Sequence, residues 1–159
     1  MSIAAVREYL KAFSMDERIM EFDVSSATVE LAAQALHTEG ARIAKSLSFL
    51  TKDGPILVVA AGDAKVDNSK YKGMFQEKAR MIPFDQVEEW IGHAAGGVCP
   101  FALREHVRVY LDVSLRRFET VFPACGSSNS AIELTMAQLE ELSQNFVAWV
   151  DLCKGWQDQ

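Results

Sequence analysis

The most constraining feature of this chain is a strand pattern with one misplaced charge. Across residues 42–50 the side chains alternate: Ile43, Lys45, Leu47 and Phe49 fall on one face, and Ala44, Ser46 and Ser48 on the other. Lys52, Asp53, Gly54 and Pro55 then read as a turn, and residues 56–61 as an apolar strand short enough to be buried. Lys45 therefore shares the apolar face of a hairpin strand. An ammonium there is costly unless it is paired or reaches a cavity. Two arrangements meet that condition. The side chain can snorkel past the sheet edge or pair with a carboxylate, or it can line a pocket and meet an anionic or carbonyl group.

Helices and strands mix around the hairpin. Ile3, Val6, Leu10 and Phe13 predict a helix over residues 2–13. A short strand is expected over 19–23, followed by the cap-type residues Ser25, Ser26 and Thr28 and a helix to Leu36 that Gly40 ends. Asp67 caps a helix running toward Lys78, residues 81–84 read as a strand, and 87–91 as a short helix. Residues 94–100 form a glycine loop. Strands are expected over 107–111, 119–124 and 131–134. Thr135 and Gln138 open a final helix with a capping box, its face carrying Leu139, Leu142 and Phe146. No regular alternation of strand and helix supports a doubly wound fold. The reading is an α/β single domain with a curved, mixed sheet.

Composition narrows the class. A chain of 159 residues exposes about 8,000 Å² folded against about 26,000 Å² unfolded, which supports one core and one domain over residues 1–159. No apolar run approaches the ~18 residues of a membrane span, and Arg7 and Glu8 interrupt the segment where a signal peptide would be apolar. Cys99, Cys125 and Cys153 are scattered without a CxxC pair, as in a reducing cytoplasm. The net charge of −6 argues against a generic nucleic-acid surface, while leaving room for a local basic rim. Lys65, Lys70, Lys72 and Arg104 are the candidates for such a rim; solvated helix faces are their plainer reading.

Two further segments can carry chemistry. Gly96, Gly97, Val98, Cys99 and Pro100 let backbone N–H groups approach a ligand, and such groups can stabilise an oxyanion. Gly126, Ser127 and Ser128 form a small polar turn after a strand. Both also read as ordinary connections. His37, His93 and His106 lack metal-ligand spacing, so no metal site is expected. Cys99 with His93 as its base is a weak alternative for thiol catalysis.

In combination, Lys45, the Gly96–Phe101 loop, the stretch from Val66 and Asp67 to Lys70, and the Gly126-Ser127-Ser128 turn resemble the YbaK/EbsC family. These are aminoacyl-tRNA deacylases related to the editing domain of bacterial prolyl-tRNA synthetases. The resemblance spans residues 19–152, the first 18 being less diagnostic. It implies a barrel-like curved sheet surrounded by helices and a small central pocket. It implies that Lys45 is needed for hydrolysis of the ester on mischarged tRNA. It also implies substrate contacts from Gly96, Gly97, Val98, Cys99, Pro100, Gly126, Ser127 and Ser128. No cofactor, metal or protein nucleophile is implied. The expected partners are the aminoacylated tRNA 3′ end and an aminoacyl-tRNA synthetase, with no membrane or DNA. The chain departs from characterised cysteine- and alanine-type members at Ala124, near which they carry Ser or His, and at Ala131, where cysteine-type members carry Asp. Cys99 and Ala102 replace the Pro and Gly of the commoner loop GGxPPFG. The leading expectation is a cytoplasmic deacylase acting in trans on a small amino acid. The alternative is a non-catalytic module that binds aminoacyl-tRNA ends, aminoacyl-adenosine-like ligands or a protein partner.

Overall fold

In the computed structural model, which describes residues 2–157, the expected hairpin is the centre of the molecule. Met1, Asp158 and Gln159, which the single-domain reading includes, lie outside the described residues. Helix α1 (Ser2–Lys11) buries Val6 and Leu10 fully. Only Met20–Glu21 (β1) forms of the strand expected over 19–23. Helix α2 (Val29–Leu36) starts where Thr28 accepts from the Leu31 N–H. It ends at His37, whose left-handed backbone (φ 55°) stops the helix before Gly40 is reached. Strands β2 (Ile43–Thr51) and β3 (Gly54–Ala61) pair antiparallel through Lys52 and Asp53, with Lys45 opposite Ala60. Gly54 and Pro55 therefore belong to the second strand, not to the turn.

Strand β4 (Lys65–Val66) leads into α3 (Asn68–Phe75), which Asp67 caps by accepting from the Ser69 and Lys70 N–H groups. Gln76 adopts φ 62° and ends that helix short of Lys78. Met81 makes one antiparallel bridge, to Phe49, and Phe84 opens a 3-10 turn, so 81–84 is no full strand. Helix α4 is Val87–Ile91. Strands β5 (Arg108–Asp112) and β6 (Thr120–Pro123) follow. The strand expected over 131–134 divides in two. Ser130–Ala131 (β7) pairs with β1, and Leu134–Thr135 (β8) pairs with β6. The predicted capping box opens α5 (Met136–Leu142). Phe146 lies outside this helix: it begins β9 (Phe146–Val150), and β10 (Cys153–Lys154) pairs with β4.

Among the described residues, six strands form one mixed, half-barrel sheet in the order β8-β6-β2-β3-β5-β9, with five α-helices around it. β3 is central, and both of its faces are covered. Leu57 and Val59 pack with Val6, Leu10, Ile91 and Leu139, whereas Ile56 and Val58 pack with Phe49, Tyr71 and Tyr110. That explains why residues 56–61 alternate with no polar position. Among the described residues, no helix is long and apolar enough to cross a membrane.

The outer edge of β2 is covered unevenly. Strand β6 pairs with it at Ile43 and Ala44 alone. The Leu50 N–H donates to Arg80 and the Ile82 N–H to Ser48, at 2.9 and 3.1 Å. Between them, no strand of the described residues covers Ser46 on that side.

The glycine loop leaves at Ala102, which holds a left-handed φ of 53° at the position where the commoner family loop has glycine. A methyl group is strained there, whereas glycine adopts the conformation freely. Ala102→Gly is expected to stabilise the fold by about 0.5–1 kcal/mol after the larger unfolded-state entropy of glycine is allowed for. Urea unfolding with an unchanged m-value measures it.

Candidate active site

The gap in the β2 edge lies beside a cavity. It holds about 120 Å³ and is lined by Lys45, Ser46, Gly96, Val98, Ala124 and Ala131, with Val29 and Ala32 from α2 among the other walls. The register accounts for Lys45. As the alternation predicts, it shares its face with Ile43, Leu47 and Phe49, which is the face opposite the larger core. Its ammonium donates to the Gly62 carbonyl at 3.3 Å and to the Ala64 carbonyl. Lys45 forms no ion pair among the described residues. Burial pulls its pKa below the ordinary lysine value.

The carbonyl pair that receives Lys45 is itself held. Asp63, between them, accepts from Arg117 at 2.9 Å, and this hydrogen bond holds its carboxyl below the usual range. The Arg117 guanidinium stacks on Phe118 and Trp156, at 4.8 and 5.0 Å from the ring centres. Gly62 has no room for a side chain, since a Cβ would lie 2.0 Å from the Gly40 carbonyl oxygen.

The glycine loop and the serine turn meet through their backbones. A Cβ on Gly97 would come within 2.5–2.7 Å of Gly126 and Ser127, so only glycine lets the two segments touch. The Gly97 N–H donates to the Ala94 carbonyl at 2.9 Å and is thereby committed to the loop's own 3-10 turn. Gly96 lies against Ser128 and, with Val98, reaches the cavity. The Ser127 hydroxyl donates to Ser130 at 2.7 Å, and the Ser128 carbonyl accepts from the Ser26 N–H at 2.6 Å. Cys99 is fully buried in the larger core, and the Pro100 carbonyl accepts from the Gln144 N–H. Of the residues proposed from sequence, Lys45, Gly96 and Val98 line the cavity. Gly97, Gly126 and Ser127 form the joint behind it.

Sequence reasoning missed Ser46, Ser130 and the first turn of α2 as cavity walls. The signal for Ser46 was its place beside Lys45 at the strand edge; nothing local marked the others. The basic residues also divide. Lys65 and Lys72 are exposed. Lys70 is tied to Asp151 and the Cys153 carbonyl, both at 2.9 Å, and Arg104 donates to the Glu89 carbonyl at the end of α4.

Thiol catalysis has no support here. Burial pushes the Cys99 thiol up to about 12. His93 Nε2 lies 3.5 Å from Cys99 Sγ but 2.6 Å from the Phe101 carbonyl, which accepts its proton. The same nitrogen then has no lone pair to act as a base. Among the described residues no three His, Cys, Asp or Glu side chains cluster to hold a metal ion.

This arrangement defines an editing-type α/β domain, and comparison with known proteins agrees. Residues 23–142 match the profile of the aminoacyl-tRNA editing domain. The chain is 53% identical to the uncharacterized protein YwhH of Bacillus subtilis (strain 168), over 99% of this chain and all of that protein. It superposes on a proposed trans-editing enzyme for prolyl tRNA synthetase with a TM-score of 0.86 at 28% identity, over 97% of this chain and 98% of that one. A structure of hypothetical protein APE2540 gives 0.83 at 26% identity, over 94% and 99% of the two chains. The chain belongs to the aminoacyl-tRNA editing-domain family.

Burial lowers the pKa of His93, whose Nδ1 has no partner, so the folded state holds the ring neutral below its ordinary titration range. The unfolded ring takes up a proton near pH 6.5, before the folded one does. Stability contributed by neutral His93 is therefore present above about pH 6.5 and declines as pH falls toward the folded pKa. Urea unfolding between pH 7.5 and 5 is expected to show this slope, and His93→Gln to flatten it.

Proposed function

We propose that this chain hydrolyses, in trans, the ester joining a small amino acid to the 3′ end of mischarged tRNA. The observation that carries the reading is the Lys45 ammonium at the cavity wall. Two of its three protons go to fixed carbonyls, leaving one for a ligand. An aminoacyl ester is already activated, so positioning it and polarising its carbonyl suffices for catalysis. Lys45 orients the substrate and offsets the charge that develops as water adds to the carbonyl carbon. With the Gly97 N–H committed, the Gly96 and Val98 N–H groups are the loop's remaining candidates for the oxyanion. The ribose oxygen leaves as the acyl–oxygen bond breaks, and the substrate's neighbouring hydroxyl relays the proton.

The methyl walls of Val29, Ala32, Ala124 and Ala131 favour a small aliphatic side chain. Exposed Lys65 and Lys72 are proposed to meet tRNA phosphates, whereas Lys70 and Arg104 serve the fold. We take residues 1–159 to act as one such domain in the cytoplasm, alongside an aminoacyl-tRNA synthetase. Ala124 lining the cavity, near where characterised cysteine- and alanine-type members carry Ser or His, motivates the second reading, in which the site binds an aminoacylated end without turnover.

A panel of aminoacylated tRNAs incubated with wild type and Lys45→Ala separates these readings. Wild type is expected to release at least one small amino acid, and Lys45→Ala to slow that release by about 10²-fold, comparable to removing one oxyanion donor. If every tRNA keeps its amino acid as long as it does without protein, the hydrolytic reading is wrong. Saturable binding without turnover establishes the second.

A further inference from the structure

The cavity beneath the glycine loop has a neighbour. Ser46, Ala95 and Val98 line the cavity on one side and, on the other, a groove of about 290 Å³ that continues to Ser48, Met81 and Phe84. Its rim is uncovered: Phe84 is 82% exposed and Met81 57%. The register shows which peptide groups turn toward it. The two-residue hairpin makes the odd-numbered residues of β2 exchange hydrogen bonds with β3, so the even-numbered ones direct their N–H and C=O groups to the opposite edge. Ser48 and Leu50 bond there to Ile82 and Arg80, and Ala44 is covered by β6. Among the described residues Ser46 falls in the gap with both its N–H and C=O unbonded, beside the Ser48 N–H, and its buried hydroxyl also lacks a partner.

We propose that this groove binds the adenine of the substrate's terminal nucleoside, its ring face on Phe84 and its edge on the Ser46 peptide. The proposal rests on the deacylase reading and adds the base-binding subsite to it. An exposed phenyl ring beside an unpaired N–H and C=O fits a flat heterocycle bearing an acceptor nitrogen next to an amine donor, which is the edge adenine presents. Continuity through Ser46, Ala95 and Val98 lets one ligand place its acyl group in the cavity and its base in the groove. An aliphatic peptide segment would use the apolar rim without requiring an aromatic at position 84.

The test is calorimetric titration of the full chain with a non-hydrolysable 3′-aminoacylamido adenosine and with the same amide lacking the base. The expected result for wild type is a loss of roughly 5- to 150-fold in affinity when the base is removed, the range for stacking one base. Phe84→Ala, at an exposed position that leaves the core intact, is expected to bind the two ligands nearly alike, and Phe84→Trp to restore the difference. With aminoacyl-tRNA, Phe84→Ala should raise KM by a similar factor and leave kcat nearly unchanged. Equal binding of both ligands by wild type, or full base dependence in Phe84→Ala, overturns the subsite. Normal deacylation with no base dependence removes the subsite and leaves the deacylase reading. Base-dependent binding by a chain that deacylates nothing supports the subsite and removes that reading.

Discussion

Everything at the proposed site depends on how one ammonium is solvated by the backbone. Lys45 sits on a strand face otherwise filled by Ile43, Leu47 and Phe49, where an unpartnered charge would be costly. The protein supplies the Gly62 and Ala64 carbonyls in place of water. Carbonyl dipoles solvate the cation without neutralising it, so its positive field remains available at the cavity. A carboxylate partner would have stabilised the lysine more and left it less to offer a substrate. Asp63 shows the distinction, because its charge is directed to Arg117.

The same economy appears in the open edge of β2. A sheet edge normally invites pairing, yet here β6 leaves after Ala44 and the 80–82 segment arrives only at Ser48. The short gap is too small for another strand, and Ala95 and Val98 of the glycine loop line the cavity and the groove on either side of it. That loop can come so close because Gly97 has no side chain to strike Gly126 and Ser127. Strand termination, loop composition and cavity formation are thus parts of one steric arrangement. Gly62 contributes to it from the other end by fitting against Gly40.

The sequence made some of this visible and hid the rest for identifiable reasons. Lys45 stood out because a period-two pattern assigns a face to every residue, and the hairpin followed from two strands around a polar turn. The glycine loop and serine turn were recognisable only in combination, since each alone resembles an ordinary connection. The spacing of Phe146 from Leu142 suits a helix, but Asn145, at φ 55°, ends that possibility and turns the chain into β9. The cavity walls from α2, and Ser130 on β7, came from distant segments whose approach no local pattern encodes. Lys70 and Arg104 were legible as charges but not as structural ties, because their partners are distant in sequence or are backbone carbonyls.

The charge inventory of the cavity bears on which form of substrate the proposed reaction favours. Its described lining contains Lys45 and no Asp or Glu. An aminoacyl ester carries an α-amino group that is protonated at low pH, and a second cation close to Lys45 would be repelled with little screening. Neutral amine avoids that repulsion and can still donate to a hydroxyl or carbonyl of the wall, such as those of Ser46 or Ser130. The ester carbonyl, by contrast, gains from proximity to the ammonium, most of all as negative charge develops on its oxygen. One fixed cation in a methyl-lined space therefore acts in two directions. On the proposed hydrolytic reading, it disfavours a charged amine in the bound state and stabilises the charge that hydrolysis creates.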